Sequence, residues 1–226
     1  MSVKQKKAKT PSRVLIIDDH PMMRQGLAQL INDEPDLSVS GEADTAGQAL
    51  DLVTARKPDL ALLDISLPDR NGMELIKDIR VLCPDLAILV VSMHDEALYA
   101  ERVLRAGARG YIMKQEGGKK LLAAIHQVLA GHIYVSEKIS ANILEIFSGR
   151  RQEGTESPVQ RLSDREFEVF QLISQGKGTR EIAGHLHLSI KTVEVHRANI
   201  KEKLQIKTAM DLVRYAVRWA EAQGIG

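Results

Sequence analysis

Through the first 133 residues, short apolar runs alternate with stretches in which apolar positions recur every three or four residues. Val14-Leu15-Ile16-Ile17, Leu60-Ala61-Leu62-Leu63 and Ala87-Ile88-Leu89-Val90-Val91 contain no polar side chain, as strands buried on both faces require. Gly110-Tyr111-Ile112-Met113 is a shorter run of the same kind, and Leu37 to Gly41 a weaker one, broken by serines and so nearer a sheet edge. Between them, Met23, Leu27, Leu30 and Ile31, then Ala46, Ala49, Leu50 and Val53, keep helical spacing. Helices are also predicted from Gly72 to Val81, from Ala97 to Ala106, and through Leu121, Leu122, Ile125, Val128 and Leu129. Pro21 falls in a first turn, where its missing N–H costs little, and Gly107 and Gly131 end the last two helices. Five strand–helix units in succession predict an α/β doubly wound fold, a five-stranded parallel sheet with helices on both faces.

The pattern then changes. Tyr134 to Phe147 carries one helical pattern, and the sequence leaves open whether it packs on the first domain or between two domains. Ser148 to Pro158 has no apolar residue and reads as a flexible linker. From Leu162 onward only helical spacing remains. Ser163 and Glu166 form a capping box ahead of Phe167, Phe170, Leu172 and Ile173. A short helix from Thr179, a turn at His187-Leu188-Ser189 and a longer helix from Ile190 to Leu204 follow, with a last helix from Ala209 to Ala220. The expected organisation is a disordered basic tail over 1–12, a first domain over 13–133, a connecting helix and linker over 134–158, and an all-α domain over 159–226.

Charge sharpens that division. Between Arg13 and Ile133 there are 13 Lys and Arg against 18 Asp and Glu, whereas from Pro158 onward there are 11 against 8. An acidic half followed by a basic half suggests two domains with different partners. No apolar run reaches the length of a membrane span, and the N-terminal lysines precede no signal-like segment. The lone Cys83 excludes an internal disulfide and fits a reducing cytoplasm.

Chemistry collects at strand ends in such a sheet. Asp18 and Asp19 follow the first strand, Asp64 the third, Ser92 the fourth and Lys114 the fifth. Crowded carboxylates raise one another's pKa unless a cation sits among them, and their oxygens suit Mg²⁺. Lys114 adds a positive charge and Ser92 a hydroxyl, so a phosphoryl group moving onto Asp64 meets stabilising partners.

On these residues the chain resembles the receiver domain of two-component response regulators. The likeness rests on Asp18-Asp19-His20, Asp64 with Leu67-Pro68 and Gly72, Ser92, Ala106-Gly107-Ala108, and Tyr111 three residues before Lys114. It implies a flavodoxin-like sheet and phosphorylation of Asp64 by a sensor histidine kinase. It further implies Mg²⁺ held by Asp18, Asp19, Asp64 and the Ser66 main-chain carbonyl, and a switch pair of Ser92 and Tyr111. In that switch the phosphoryl group draws the Ser92 hydroxyl inward and vacates space for the Tyr111 ring. By residue type alone, Tyr111 fits a core aromatic equally well.

In the second domain, a short helix, a tight turn and a longer helix match a helix-turn-helix, although a small protein-binding module has the same outline. Lys191, Arg197, Lys201, Lys203 and Lys207 favour DNA, with the first half of the longer helix in a major groove and the far lysines on phosphates. Leu162-Ser163, Arg165-Glu166, Gly176, Glu181-Ile182-Ala183, Leu188-Ser189 and Thr192-Val193-Glu194-Val195-His196 resemble the LuxR-type DNA-binding domain. Together the two domains resemble the NarL/FixJ family. Expected DNA contacts are Lys191, Thr192, Glu194, Val195, Arg197, Ala198, Lys201 and Lys203. Glu194 stands where NarL-like members carry lysine; a carboxylate is repelled by phosphate but accepts a hydrogen bond from cytosine N4. On the last helix, Val213, Ala216, Val217 and Ala220 form one stripe and Leu212, Tyr215 and Trp219 a second. The second stripe is the expected dimer contact.

The expectation is therefore a cytoplasmic transcription regulator controlled by phosphorylation, and not a turnover enzyme. Its partners would be the kinase, double-stranded promoter DNA, a second copy of itself and RNA polymerase, with no membrane. Phosphorylation would either free the recognition helix or promote dimerisation. One alternative is a receiver acting as a phosphorylation-independent interaction module. Another is a Mg²⁺-dependent phosphatase, for which Asp69 and His94 are poor acid–base candidates.

Overall fold

The computed structural model describes residues 10–141 and 158–222. Most of the expected tail, the far part of the connecting helix and nearly all of the linker lie outside the described residues. The chain divides into two compact units, Met1–Leu144 and Glu145–Gly226.

In the first unit, β1 (Ser12–Ile17), β2 (Leu37–Ala43), β3 (Leu60–Leu63), β4 (Ala87–Ser92) and β5 (Gly110–Met113) form one sheet. The strand order is β2-β1-β3-β4-β5 and every pairing is parallel. The helices are α1 (Pro21–Asn32), α2 (Ala46–Arg56), α3 (Gly72–Leu82), α4 (Glu96–Ala106) and α5 (Gly118–Leu129). Leu27 and Ile31 of α1 and Leu121, Ile125 and Val128 of α5 share a core with Val14, Ile16, Leu62 and Leu89. Alternate residues of the same strands, Leu15, Ile17, Leu63, Ile88 and Val90, are equally buried, so the sheet is covered on both faces. β2 lies at an edge, is partly exposed, and shifts register against β1 between Val14 and Leu15.

Local chemistry sets the helix starts. Thr45, Asn71 and Asp95 accept hydrogen bonds from the first turns of α2, α3 and α4, which satisfies backbone donors that a helix leaves unpaired. Gly107 ends α4 with φ 113°, a conformation open to glycine. At the start of α3, a Cβ on Gly72 would stand 2.4 Å from Ile65 Cα. Only a residue without a side chain lets α3 press this closely on the end of β3.

The described start of the connecting segment, 134–141, packs on the first unit. Tyr134 exchanges backbone hydrogen bonds with the β5 region, donating to Arg109 and accepting from Tyr111. Ser136 donates to Glu96 on α4, and α6, described over 137–141, buries Ile139.

The second unit holds α7 (Asp164–Ser174), α8 (Thr179–His185), α9 (Ile190–Lys203) and α10 (Ala209–Ala222). The Ser163–Glu166 capping box is formed in both directions. Phe167, Phe170, Ile173, Ile182, Val193, Ile200 and Leu212 make the core. His187, in the turn between α8 and α9, takes a left-handed φ of 52°.

α10 corrects one expectation. Leu212 is fully buried, and the Tyr215 ring lies 6.1 Å from that of Phe170. Trp219 meets Phe167 and Phe170 edge-on at 5.8 and 5.3 Å. Leu212 is therefore a core residue of its own domain rather than a dimer contact, whereas Tyr215 and Trp219 pack one side on α7 and stay half-buried. The reason is reach, because aromatic side chains span the gap to α7 where the neighbouring Ala216 and Ala220 only line it. Val213, expected to point inward, is exposed instead.

Candidate functional site

Strand order reverses between β1 and β3, the place where an open parallel sheet forms its crevice. Asp18 and Asp64 each follow one residue of the paired Ile17 and Leu63, so they leave the sheet side by side. Both are buried. Lys114, following β5, places its Nζ 2.7 Å from Asp18 Oδ2 and 2.7 Å from Asp64 Oδ2. One ammonium thus bridges two buried carboxylates.

The remaining carboxylate oxygens are unevenly satisfied. The His20 amide donates to Asp18 Oδ1 at 2.8 Å and the Ser66 amide to Asp64 Oδ1 at 3.1 Å. Asp19 Oδ1 is buried yet accepts no hydrogen bond, although His20 Nδ1 stands 2.7 Å away. Ligand atoms of Asp18, Asp19, His20 and Asp64 lie within 4.8 Å of one another. Hard oxygens gathered around an unpartnered one are a donor set that fits a small divalent cation.

Electrostatics follow from burial. It pushes the Asp64 carboxyl above its ordinary range; Lys114 and the Ser66 amide pull it back without cancelling the rise, and Asp18 adds repulsion. Burial also opposes the Lys114 charge, but its bonds to Asp18 and Asp64 prevail and hold its pKa above the usual value. The ammonium stays charged at neutral pH, while Asp64 is strained toward losing its own charge.

Ser92 is fully buried, and its Oγ accepts from the His94 amide at 3.3 Å. Tyr111 is buried too, and its hydroxyl donates to the His94 carbonyl at 2.7 Å. Burial raises the Tyr111 pKa, with Ser92 opposing, so the hydroxyl remains a donor. The ring packs as a core aromatic and the hydroxyl is tied to the loop after β4.

Two loop residues gain roles the sequence did not disclose. His94 Nε2 lies 3.0 Å from Ser66 Oγ, and its ring stacks on Tyr99 at 4.7 Å, which ties the loop after β3 to the loop after β4. Burial lowers its pKa, against the pull of Asp64. Asp69 accepts from the Ala46 and Gly47 amides at 2.9 and 3.1 Å, so the loop carrying Asp64 is pinned to the N-terminus of α2. Both sit in polar loops, where periodicity carries no signal.

In the second unit, the α9 residues Lys191, Glu194, Val195, Ala198 and Glu202 are exposed, and helical spacing puts them on one stripe. Arg197 and Lys201 are half-buried beside it. Two expected DNA contacts also bond within their own domain. Thr192 is half-buried, its hydroxyl 2.7 Å from the capping Ser189 Oγ. Lys203 Nζ lies 2.6 Å from Glu166 Oε2, a buried carboxylate that also accepts from the Ser163 amide. Burial opposes the Glu166 charge, but Lys203 and Ser163 hold its pKa below the usual range. Lys203 therefore fixes α9 to α7, since a buried carboxylate requires a partner.

Comparison with known proteins follows this division. Residues 14–126 match the family described as response regulator receiver domain, and residues 160–216 match the luxR family of bacterial regulatory proteins. The chain is 35% identical to the oxygen regulatory protein NreC of Staphylococcus haemolyticus over 91% of its length and 97% of that protein. Its identity to NreC of Staphylococcus carnosus is 34% over the same shares. Among solved structures it is similar to RcsB of Salmonella enterica serovar Typhimurium bound to promoter rprA. That match has 26% identity and a TM-score of 0.64, covering 92% of this chain and 99% of the other. A LuxR-family response regulator from Aurantimonas sp. SI85-9A1 matches at 34% identity and a TM-score of 0.57, over 62% of this chain and 99% of that one.

Proposed function

Because the chain belongs to the NarL/FixJ family of two-component response regulators, with a receiver and a LuxR-type DNA-binding domain, we propose that Asp64 is its phosphoacceptor. In this reading a sensor histidine kinase supplies the phosphoryl group, and the modified receiver controls promoter binding by α9. The observation that carries it is the Lys114 ammonium held between Asp18 and Asp64 at a strand-end crevice.

An ionised Asp64 oxygen attacks phosphorus. The new O–P bond forms as the bond from phosphorus to the donor breaks, and the electron pair leaves with the donor. No proton moves to or from Asp64. Lys114 then exchanges its contact with Asp64 for a phosphoryl oxygen, and the Ser92 hydroxyl donates to another. Asp18, Asp19, Asp64 and the Ser66 carbonyl would hold Mg²⁺, which would neutralise charge at the phosphoryl oxygens. The unpartnered Asp19 oxygen supports that assignment.

Ser92 and Tyr111 are the proposed switch, because both bond to His94 and a pull on Ser92 is felt at the Tyr111 hydroxyl. Output falls to the exposed stripe of α9, with Lys191, Glu194, Val195 and Ala198 toward bases and Arg197 and Lys201 toward phosphates. The regulator works in the cytoplasm, where its DNA is, and binds as a homodimer. Among the described residues, no helix is long and apolar enough to cross a membrane.

Incubation with acetyl phosphate and Mg²⁺ is expected to add the mass of one phosphoryl group, and Asp64→Asn to abolish the gain. An unmodified wild-type chain would instead favour a receiver that acts without phosphorylation.

A further inference from the structure

The outward stripe of α9 carries a side chain that a phosphate-binding helix should avoid. Glu194 is exposed between Lys191 and Ala198, and no described residue forms an ion pair with it. Near DNA, such a carboxylate is repelled by every phosphate and loses its water on docking, a cost that only a hydrogen-bond donor offsets. Val195, the next residue, is 51% exposed. An exposed valine offers an apolar surface that only a contact from outside the domain would cover.

The major groove offers few donors. Cytosine presents its N4 amino group alone, whereas adenine sets N6 beside the N7 acceptor. An ionised carboxylate only accepts, so adenine N7 repels it while cytosine does not. The apolar feature in the same groove is the thymine C5 methyl. Ala198, one turn beyond Glu194, has no bulk to hold the helix away from the groove.

We propose that this protein selects its promoters by reading a cytosine through Glu194 and an adjacent thymine methyl through Val195. The inference rests on α9 entering the major groove, as set out above. Glu194 and Val195 are then specificity determinants, and Arg197 and Lys201 supply affinity without sequence preference. Lysine at the Glu194 position would select guanine, through O6 and N7.

Selection of bound duplexes from a random double-stranded DNA pool, using the full chain, tests this. The wild type is expected to enrich a motif with an invariant cytosine beside a thymine in each half-site. Glu194→Lys should change that cytosine to guanine and leave the other positions unaltered. Within the selected site, replacing the cytosine should weaken wild-type binding about ten- to a hundredfold. Deoxyuridine in place of the thymine, which removes only the methyl, should weaken the wild type several-fold and leave Val195→Ala unaffected. The same motif from wild type and Glu194→Lys would overturn the proposal while leaving DNA recognition by α9 intact. Absence of any enriched motif would overturn both. Glu194 and Val195 are exposed, so neither substitution disturbs the core.

Discussion

Lys114→Met is expected to slow phosphoryl uptake by Asp64 on the order of a hundredfold, the usual consequence of losing one fixed charge donor at a reacting oxygen. It is also expected to lower receiver stability by about 3 kcal/mol at neutral pH without divalent ions. Both effects have one cause. Lys114 is the shared partner of Asp18 and Asp64, and without it two buried carboxylates face each other with their Oδ2 atoms unpaired. Burial already holds the Asp64 pKa above 3.8, and losing the cation raises it further. The folded variant then keeps a proton that the unfolded chain releases. Its stability falls as pH rises from about 3.8 through the raised folded value, and the deficit against wild type shrinks on acidification. Urea unfolding of both chains at pH 5 and pH 8, with and without Mg²⁺, measures this. A deficit indifferent to pH and Mg²⁺ would mean that Lys114 acts only through packing.

Trp219→Ala is expected to cost the C-terminal domain about 3 kcal/mol, because it empties the space between Phe167 and Phe170 where the indole now packs. Far-UV circular dichroism on heating should show the helices of that domain melting earlier by the same amount at every protein concentration. Unchanged melting with lost self-association would instead mark Trp219 as a dimer contact.

The contrast between Trp219 and Asp64 shows what the sequence discloses. Apolar runs fixed the strands because Leu60 to Leu63 are buried on both faces, and a strand with no polar side chain has few other stable places. Strand-end placement then brought Asp18, Asp64 and Lys114 together, since parallel pairing leaves little freedom one residue beyond the ladder. The all-α unit was harder. Two apolar stripes on α10 are both compatible with helical spacing, and which one faces the core depends on the distance to α7, a tertiary quantity. The intradomain role of Lys203 is hidden for a similar reason. Its sign is visible in the sequence, but its pairing with Glu166, 37 residues away, is not. The roles of His94 and Asp69 are hidden because loop residues act through contacts that no period announces.

The loop contacts bear on signalling. Asp69 pins the loop after β3 to α2, and His94 joins that loop to the one from which Ser92 and Tyr111 are held. A phosphoryl group on Asp64 would therefore arrive among elements already tied together, and a small displacement at Ser66 or Ser92 would have a direct path to Tyr111. Two discrete arrangements of these ties would make such a device a switch.

Fluorescence anisotropy of a labelled duplex carrying the selected motif, titrated with the full chain, tests the link between Asp64 and α9 most directly. Acetyl phosphate with Mg²⁺ should tighten binding by the wild type at least tenfold and leave Asp64→Asn at the unphosphorylated affinity. Equal affinity for the phosphorylated and unphosphorylated wild type would contradict control of DNA binding by Asp64.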